Sequence, residues 1–432
     1  MNILVTGAAG FIASQIVTDL LAAGHSVTGA VRNTEYAKNI FPTMKIIQCD
    51  FIRDTTPELW VERLKGIDLV INCVGIFHHP NKKIIWAIHH DTPRALFDAC
   101  VKVGVKKIIQ ISALGVDKSD VPYSVTKKAA DDYLTTLPIP SVILRPSLVY
   151  GRGSYGGTSL FRGLVGLPFI TPVPGPGTQE FQPIHLQDLS KAVVKLVNLP
   201  STDKILLNAV SSKRMNLNEI LTKMRAWLGF QKSVIVHTPL WIIRIAAFFG
   251  DFIPYSGLNT TAYKMMMQNN VTTAEETQKF HDTIGFTPRD YSEGLYSQPS
   301  TVQDHWHSRL FFLKPVLQNS IAFIWLFTAF CSVFLYPRSA SYQLLGDVGV
   351  SEAWQPLAFY GASLLDAILG VAMLIGYRLK LTGGLQLLAI GLYTAVITWK
   401  LPQLWIEPFM PIAKNIPLVV ATLVFLAMES DR

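Results

Sequence analysis

The chain opens Asn2-Ile-Leu-Val-Thr-Gly-Ala-Ala-Gly-Phe-Ile-Ala13, and this stretch restricts the fold more than any later one. Ile3 to Val5 read as a short buried strand, and from Phe11 to Ala23 the apolar residues return with a helical period. Between them stands Gly7-x-x-Gly10-x-x-Ala13. Gly7 permits a tight turn, Gly10 allows close backbone approach, and Ala13 is small enough for the helix to lie against the strand. A strand that turns this sharply into a helix aims backbone N–H groups and the positive end of a helix dipole at one place. That place suits an anion such as a pyrophosphate. At a strand–helix junction the spacing is that of a dinucleotide-binding turn, with Gly7, Ala9, Gly10, Phe11 and Ile12 as candidate contacts.

The following residues repeat the strand–helix alternation. Ser26 to Val31 form a second strand ending at Arg32-Asn33. A carboxylate near this point suits an adenosine ribose, whereas an arginine suits a 2′-phosphate, so Arg32 points to NADP(H), with NAD the alternative. A third strand, Lys45 to Gln48, ends in Cys49-Asp50-Phe51, and a fourth, Asp68 to Asn72, ends in Asn72-Cys73-Val74-Gly75. The small Gly75 lets that strand end lie against a flat ring. A helix from about Lys83 to Val103 leads to a fifth strand, Lys107 to Ser112. Strands spaced by helices in this way predict an α/β fold with a parallel, doubly wound sheet.

Tyr123 and Lys127 stand four apart and share one helix face. A tyrosine hydroxyl has a reference pKa of about 10 and is a poor base near neutrality. A neighbouring ammonium favours the phenolate and lets the tyrosine exchange a proton with an alcohol or carbonyl.

The order TGAAGFIA, CDF, NCVG, IIQIS, Tyr123-Ser-Val-Thr-Lys127, Leu144-Arg-Pro-Ser-Leu-Val-Tyr-Gly151 and Gln182-Pro-Ile-His185-Leu-Gln-Asp188 resembles the short-chain dehydrogenase/reductase superfamily. The nearest branches are the extended and atypical ones, which include nucleotide-sugar epimerases and the NADPH-binding accessory subunit of respiratory complex I. Gly285-Phe-Thr-Pro288 through Gly294-Leu295 resembles the family's terminal signature, so the resemblance covers about residues 1–297. It implies a Rossmann-type sheet with a small substrate subdomain. It also implies cofactor contacts from Asp50, Phe51, Cys73, Gly75 and Pro146, and a Lys127 that holds the nicotinamide ribose. The family's third catalytic group is a Ser or Thr at the end of the preceding strand. Ser112 is present, but the epimerase pattern places the hydroxyl one residue later, at Ala113. Either Ser112 fills the role through a shifted loop, or the hydroxyl is missing.

From Gly151 to Gly177 the chain is rich in Gly and Pro, and in the resembling families this is the substrate-facing loop. Arg152 and Arg162 read as solvated loop arginines, and His185 and Asp188 as a frame for the loop. His78-His79 and His89-His90 lack a third ligand at a sensible spacing, so no metal is expected. Cys49, Cys73, Cys100 and Cys331 have no paired spacing and read as free thiols. Pro239 to Phe249 is apolar almost all round apart from Arg244 and too short for a clean span, so it reads as a core helix or as an interfacial segment, the latter favoured because membrane segments follow.

Four apolar windows follow a polar linker (298–315): Val316–Tyr336, Leu357–Tyr377, Gly383–Trp399 and Pro411–Met428. They predict a four-helix transmembrane bundle over 316–428. Leu365-Asp366-Ala-Ile-Leu-Gly370 followed by Gly376-Tyr-Arg-Leu-Lys380 resembles the DoxX-like membrane family. Asp366, costly at mid-bilayer, should face the bundle or a partner and serve either a proton or quinone path or helix association. Residues 315–432 carry six basic and six acidic side chains, so the net charge of +8 belongs to residues 1–314. No Lys/Arg run with interleaved aromatics suggests a nucleic acid, and a basic part beside apolar helices points to anionic lipid headgroups. Met1 leads straight into a core strand, so no secretory leader is expected. Arg309 and Lys314 precede the first window, and Arg378 and Lys380 separate the second from the third. Both ends and the nucleotide domain are therefore expected at the cytoplasmic face of an inner membrane.

The expected function is a membrane-anchored NADP(H)-binding oxidoreductase acting on a carbonyl or alcohol, with a small or lipid-like substrate and a quinone or membrane redox partner as a further possibility. The alternative is a non-catalytic nucleotide-binding assembly or sensor subunit.

Overall fold

A computed structural model of the chain describes residues 1–154, 157–200, 203–252, 257–408 and 410–429. It divides into two compact units, Met1–Arg309 and Leu310–Arg432.

The first unit is built on strands β1 (Asn2–Thr6), β2 (Ser26–Val31), β3 (Lys45–Gln48), β4 (Leu69–Asn72), β5 (Lys107–Ile111) and β6 (Ser141–Pro146), with an outer strand Lys204–Ala209. From that outer strand the order is β6-β5-β4-β1-β2-β3, and every pairing is parallel. Alternate residues face opposite ways and both sets are apolar. Ile3 and Val5 join Ile71, Ile109 and Leu144 on one side, while Leu4 joins Val70, Ile108 and Ile143 on the other. A sheet buried on both faces requires such near-continuous apolar strands. Helix α1 (Phe11–Ala22) packs on the first side through Ala13, Ile16, Val17 and Leu20. The chain order reverses between β1 and β4, which opens a crevice at their carboxyl ends.

A buried polar chain holds those ends together. Thr6 Oγ1 donates to Asn72 Oδ1 (2.6 Å) and accepts from Cys73 N (3.1 Å), while Asn72 Nδ2 donates to Gln110 Oε1 (2.8 Å). The helix expected as one piece up to Val103 is interrupted. Lys82–Trp86 and Thr92–Val103 flank a π-helical turn, Ala87–Asp91, and such turns often mark functional sites.

A smaller cluster, centred on Tyr150, Phe161, Val165, Leu217, Ile220 and Leu221, forms beyond the sheet. Gly157–Gly166 and Leu217–Trp227 are its helices. Tyr155 and Gly156 of the glycine-rich loop lie outside the described residues. Within the stretch read as a linker, Val302–Leu310 is a helix whose Asp304 and Ser308 are buried. Gly166 sits so close to this helix that a Cβ there would lie 2.6 Å from the Ser308 carbonyl carbon.

In the second unit Leu313–Leu335, Glu352–Leu374 and Leu379–Lys400 are long and apolar enough to cross a membrane, by length and composition. The fourth expected window is shorter. Asn415–Met428 has 14 residues, and at 1.5 Å per residue it spans about 21 Å against a hydrocarbon core of about 30 Å. Asp366 faces inward as expected, 7% exposed. One turn on, Gly370 lets the helices close up, since a Cβ there would meet Leu326 Cγ at 2.7 Å. Gly383 does the same against Leu426, whereas Gly384 and Gly391 face nothing within 4 Å.

Candidate nucleotide and active site

The turn after β1 has the geometry its sequence predicts. Gly7 adopts φ +65°, donates from its N–H to Ala30 O (2.8 Å), and accepts from Gly10 N (2.7 Å). A Cβ on Gly7 would lie 3.0 Å from Val74 Cγ2. Gly10 is the N-cap of α1 and brings no capping side chain, so the helix start presents backbone rather than a side chain to the crevice. These features fit a dinucleotide's pyrophosphate. Ala9, Phe11 and Ile12 belong to the same turn and first helical residues.

The contacts expected from the other strand ends fall into two kinds. Arg32 is exposed directly after β2, while neighbouring Asn33 caps the next helix by accepting from Tyr36 N (3.1 Å). Asp50 shapes its own turn, accepting from Ile52 N (2.9 Å). Phe51 turns its ring into the core against Trp60, with ring centres 5.6 Å apart, and its carbonyl accepts from Thr92 Oγ1 (2.9 Å). Cys73 is a free thiol that burial pushes up to about 12. Pro146 ends β6, and its carbonyl accepts from Leu114 N (2.9 Å).

The helix Pro122–Thr136 carries Tyr123 and Lys127 to the ends of β4 and β5. Lys127 is buried and donates from Nζ to Ile111 O (3.0 Å), with Nζ 5.8 Å from the centre of the Tyr123 ring. A Cβ on Gly75 would lie 3.4 Å from that Nζ, so the residue expected to be small is small where the site needs room. Burial pushes the Tyr123 phenol up, and nearby Asp131 pushes it further. Burial also lowers the Lys127 ammonium, partly offset by Asp131 and Cys73. The tyrosine hydroxyl is therefore a proton donor in the neutral range.

The Ser112 hydroxyl donates to Asp131 Oδ2 (2.7 Å), which also accepts from Arg145 Nε (3.1 Å). The third hydroxyl read from the sequence is thus engaged in a buried network with Asp131 and Arg145.

On the substrate side, Arg289 reaches Asp188 through Nε (3.0 Å) and Nη2 (2.9 Å), with Nη2 3.1 Å from His185 Nδ1. Burial and the adjacent guanidinium lower His185 to about 4. His185 and Asp188 thus share one guanidinium, that of Arg289. Arg162 is not the solvated arginine the sequence suggests: it is 4% exposed and pairs with Asp304 Oδ1 (3.6 Å). Arg152 is exposed, as expected, while pairing with Asp304 Oδ2 (3.2 Å).

The family model described as NAD(P)H-binding matches residues 7–159, and the DoxX-like family model matches residues 322–423. The first unit thus carries the match to an NAD(P)H-binding model on a Rossmann-type sheet, and the second carries the match to a DoxX-like model. Ceramide reductase of Caulobacter vibrioides is 23% identical over 235 residues, 54% of this chain and 72% of that protein. Photosystem II assembly factor Ycf39 of Synechocystis is 22% identical over 299 residues, 67% and 87% of the two chains. The dTDP-glucose 4,6-dehydratase of Bacillus anthracis, solved with NAD, superposes with a TM-score of 0.54 at 19% identity, covering 72% of this chain and 97% of that one. This last likeness speaks for the fold.

In this Rossmann domain two side chains stand closer to the Tyr–Lys pair than the sequence suggests. His89, first met as half of a His-His doublet, sits on the π-helical turn. Its Nε2 accepts from Ile76 N (3.0 Å), and its Nδ1 lies 2.9 Å from Thr126 Oγ1. Thr126 already donates to Pro122 O (2.7 Å), so His89 donates from Nδ1 and is neutral. Burial and the Lys127 charge hold its pKa well below the usual histidine range. Its ring meets Tyr123 edge to face at 5.4 Å, and the Phe77 ring lies tilted against the same tyrosine at 5.0 Å. Asp131, one helical turn beyond Lys127, is the second. Its i,i+4 spacing was a readable signal; that of His89 was not.

Proposed function

We propose that the chain is a membrane-anchored oxidoreductase that uses NADP(H), with NAD the lesser substrate, to interconvert a carbonyl and an alcohol on a small or lipid-like molecule. The observation that carries this reading is the placement of Tyr123 and a buried Lys127 at the strand ends next to the Gly7 turn. The dinucleotide, when bound, supplies or accepts the hydride. The Gly7–Ile12 backbone holds its pyrophosphate, Gly75 leaves space for a flat ring, and Lys127 orients a ribose and steadies charge near Tyr123. Tyr123 passes its proton to the carbonyl oxygen in reduction and regains it in oxidation. With the phenol pushed up by burial, reduction is the direction for which the resting site is protonated.

The membrane half and the likeness to a ceramide reductase support a lipid-like substrate. A nucleotide sugar has less support, because Arg152 and Arg162, the loop cations that would meet its phosphates, pair with Asp304. The basic residues flanking the apolar helices support a cytoplasmic nucleotide domain at an inner membrane, with Asn415–Met428 as a fourth crossing and functional divisions near 297 and 315. A quinone or membrane redox partner would meet the DoxX-like half. Incubating the full chain with NADPH deuterated at its transferable position and a membrane lipid extract tests the reaction. Deuterium is expected in a lipid alcohol. If no extract component gains label although NADPH binds, the catalytic reading is lost.

The second reading, an assembly or sensor subunit with a structural dinucleotide, is favoured by the engagement of Ser112 with Asp131 and by the likeness to an assembly factor. Cofactor choice can be read independently of turnover. Replacing Arg32 with Ala should weaken NADPH about tenfold while leaving NADH unchanged, since a charged hydrogen bond contributes roughly 1.5–3 kcal/mol. Equal loss for both, in a titration of intrinsic NAD(P)H fluorescence, would remove Arg32 as the 2′-phosphate contact.

A further inference from the structure

The apolar segment after residue 233 is not covered by the first unit's core. The strand Val234–Thr238 pairs in parallel with Ile170–Pro174, setting Val234 beside Ile170, and runs directly into the helix Leu240–Gly250. Ile243 and Ala247 tie that helix down against Tyr263. Its other side chains point outward, with Trp241 64%, Ile245 51%, Phe248 56% and Phe249 65% exposed. Phe169, at the start of the paired strand, extends the surface. It is 83% exposed and holds φ +63°, a left-handed conformation unusual for a bulky residue. A continuous face of this kind, aromatic and aliphatic, is more than the scattered exposed apolar residues of ordinary surfaces.

Charge indicates what covers it. From Gln231 to Gly250 the chain contains Lys232 and Arg244 and no carboxylate, and both cations are exposed. Apolar residues flanked by cations match an anionic lipid surface, where the former enter the acyl boundary and the latter meet headgroups. A bilayer is also the surface that this chain has at hand, because the same polypeptide continues into helices long enough to cross one.

We infer that the face formed by Phe169, Val234 and the helix Leu240–Gly250 docks into the headgroup layer of an anionic bilayer, independently of the membrane-crossing helices. The far end of the docked helix touches the active-site wall. Asp251 O lies 3.2 Å from His78 Nε2, and Phe77, the residue before His78, packs its tilted ring against Tyr123 with centres 5.0 Å apart. Docking thus sets the mouth beside Tyr123 at the lipid surface, a consequence that rests on the oxidoreductase reading, whereas docking itself does not.

The test uses the full chain with p-benzoylphenylalanine in place of Phe249, reconstituted in vesicles of phosphatidylcholine with about one third phosphatidylglycerol. The same group in place of exposed Lys65 is the control. Retained NADPH binding certifies the fold, and the readout is the mass of the photo-adduct, which does not depend on turnover. Lipid adducts are expected at position 249 and not at 65, with yield severalfold higher than in pure phosphatidylcholine. Unreacted probe at 249, or probe joined only to the chain's own residues, would overturn the docking. A crosslinked dimer would assign the face to a second copy instead, and equal yields in the two vesicle types would overturn the role of the cations.

Discussion

Replacing Tyr123 with Phe should lower kcat/KM for carbonyl reduction by at least about 100-fold while NADPH affinity changes less than threefold. General acid catalysis contributes roughly 10²–10⁴ in rate, and the lost hydroxyl is the group that would meet the substrate oxygen. The ring itself stays, so its contacts with Phe77 and His89 are kept and the cofactor crevice keeps its shape. Fluorescence titration separates binding from turnover. Unchanged turnover of the labelled lipid alcohol in the variant would exclude Tyr123 as the proton donor. The pH dependence should also be asymmetric. Burial raises Tyr123 and lowers Lys127, so as pH rises the lysine loses its charge before the phenol ionises. The alkaline limb of the wild-type profile then belongs to Lys127 and begins below the usual lysine range.

Replacing Asp304 with Ala should cost about 3 kcal/mol of stability in the first unit. Asp304 is 5% exposed and Arg162 4% exposed, and removing one member of a buried pair typically costs about 3–5 kcal/mol because the other charge stays buried. The lower end is expected because Arg162 still donates from Nη2 to the carbonyls of Gly151 (3.2 Å) and Ser154 (3.1 Å). Asp304 also accepts from Thr301 N (2.9 Å), so the start of the Val302–Leu310 helix loosens with it. Denaturant unfolding of the full chain in detergent should show an earlier first transition. A companion change of Arg162 to Met should recover most of the loss. A single variant as stable as the parent would mean that water reaches Arg162.

Much of the first unit was readable because its determinants are local. The Gly7-x-x-Gly10-x-x-Ala13 turn, the five strands expected at residues 1–112 and the Tyr123–Lys127 spacing lie within a few residues of one another. Each occupies its expected element, with bounds shifted by a residue at Asn2–Thr6, Leu69–Asn72 and Lys107–Ile111. The π-helical turn at Ala87–Asp91 escaped this reading. Periodicity registers a helix but not one extra residue in a turn, and it is this turn that carries His89 to Tyr123.

Two kinds of information thus divide the protein. The sequence by itself determined the doubly wound sheet, the anion-binding turn, the Tyr–Lys pair and the apolar helices, because burial period, glycine freedom and segment length are properties of neighbouring residues. Only the tertiary structure decided the partners of the polar groups. Ser112 meets Asp131, 19 residues on, and Arg152 meets Asp304, 152 residues on. A serine or an arginine has the same appearance in sequence whether it faces solvent, substrate or a buried carboxylate. Its partner is selected when packing removes water and leaves each buried donor only the acceptors that the fold has placed beside it.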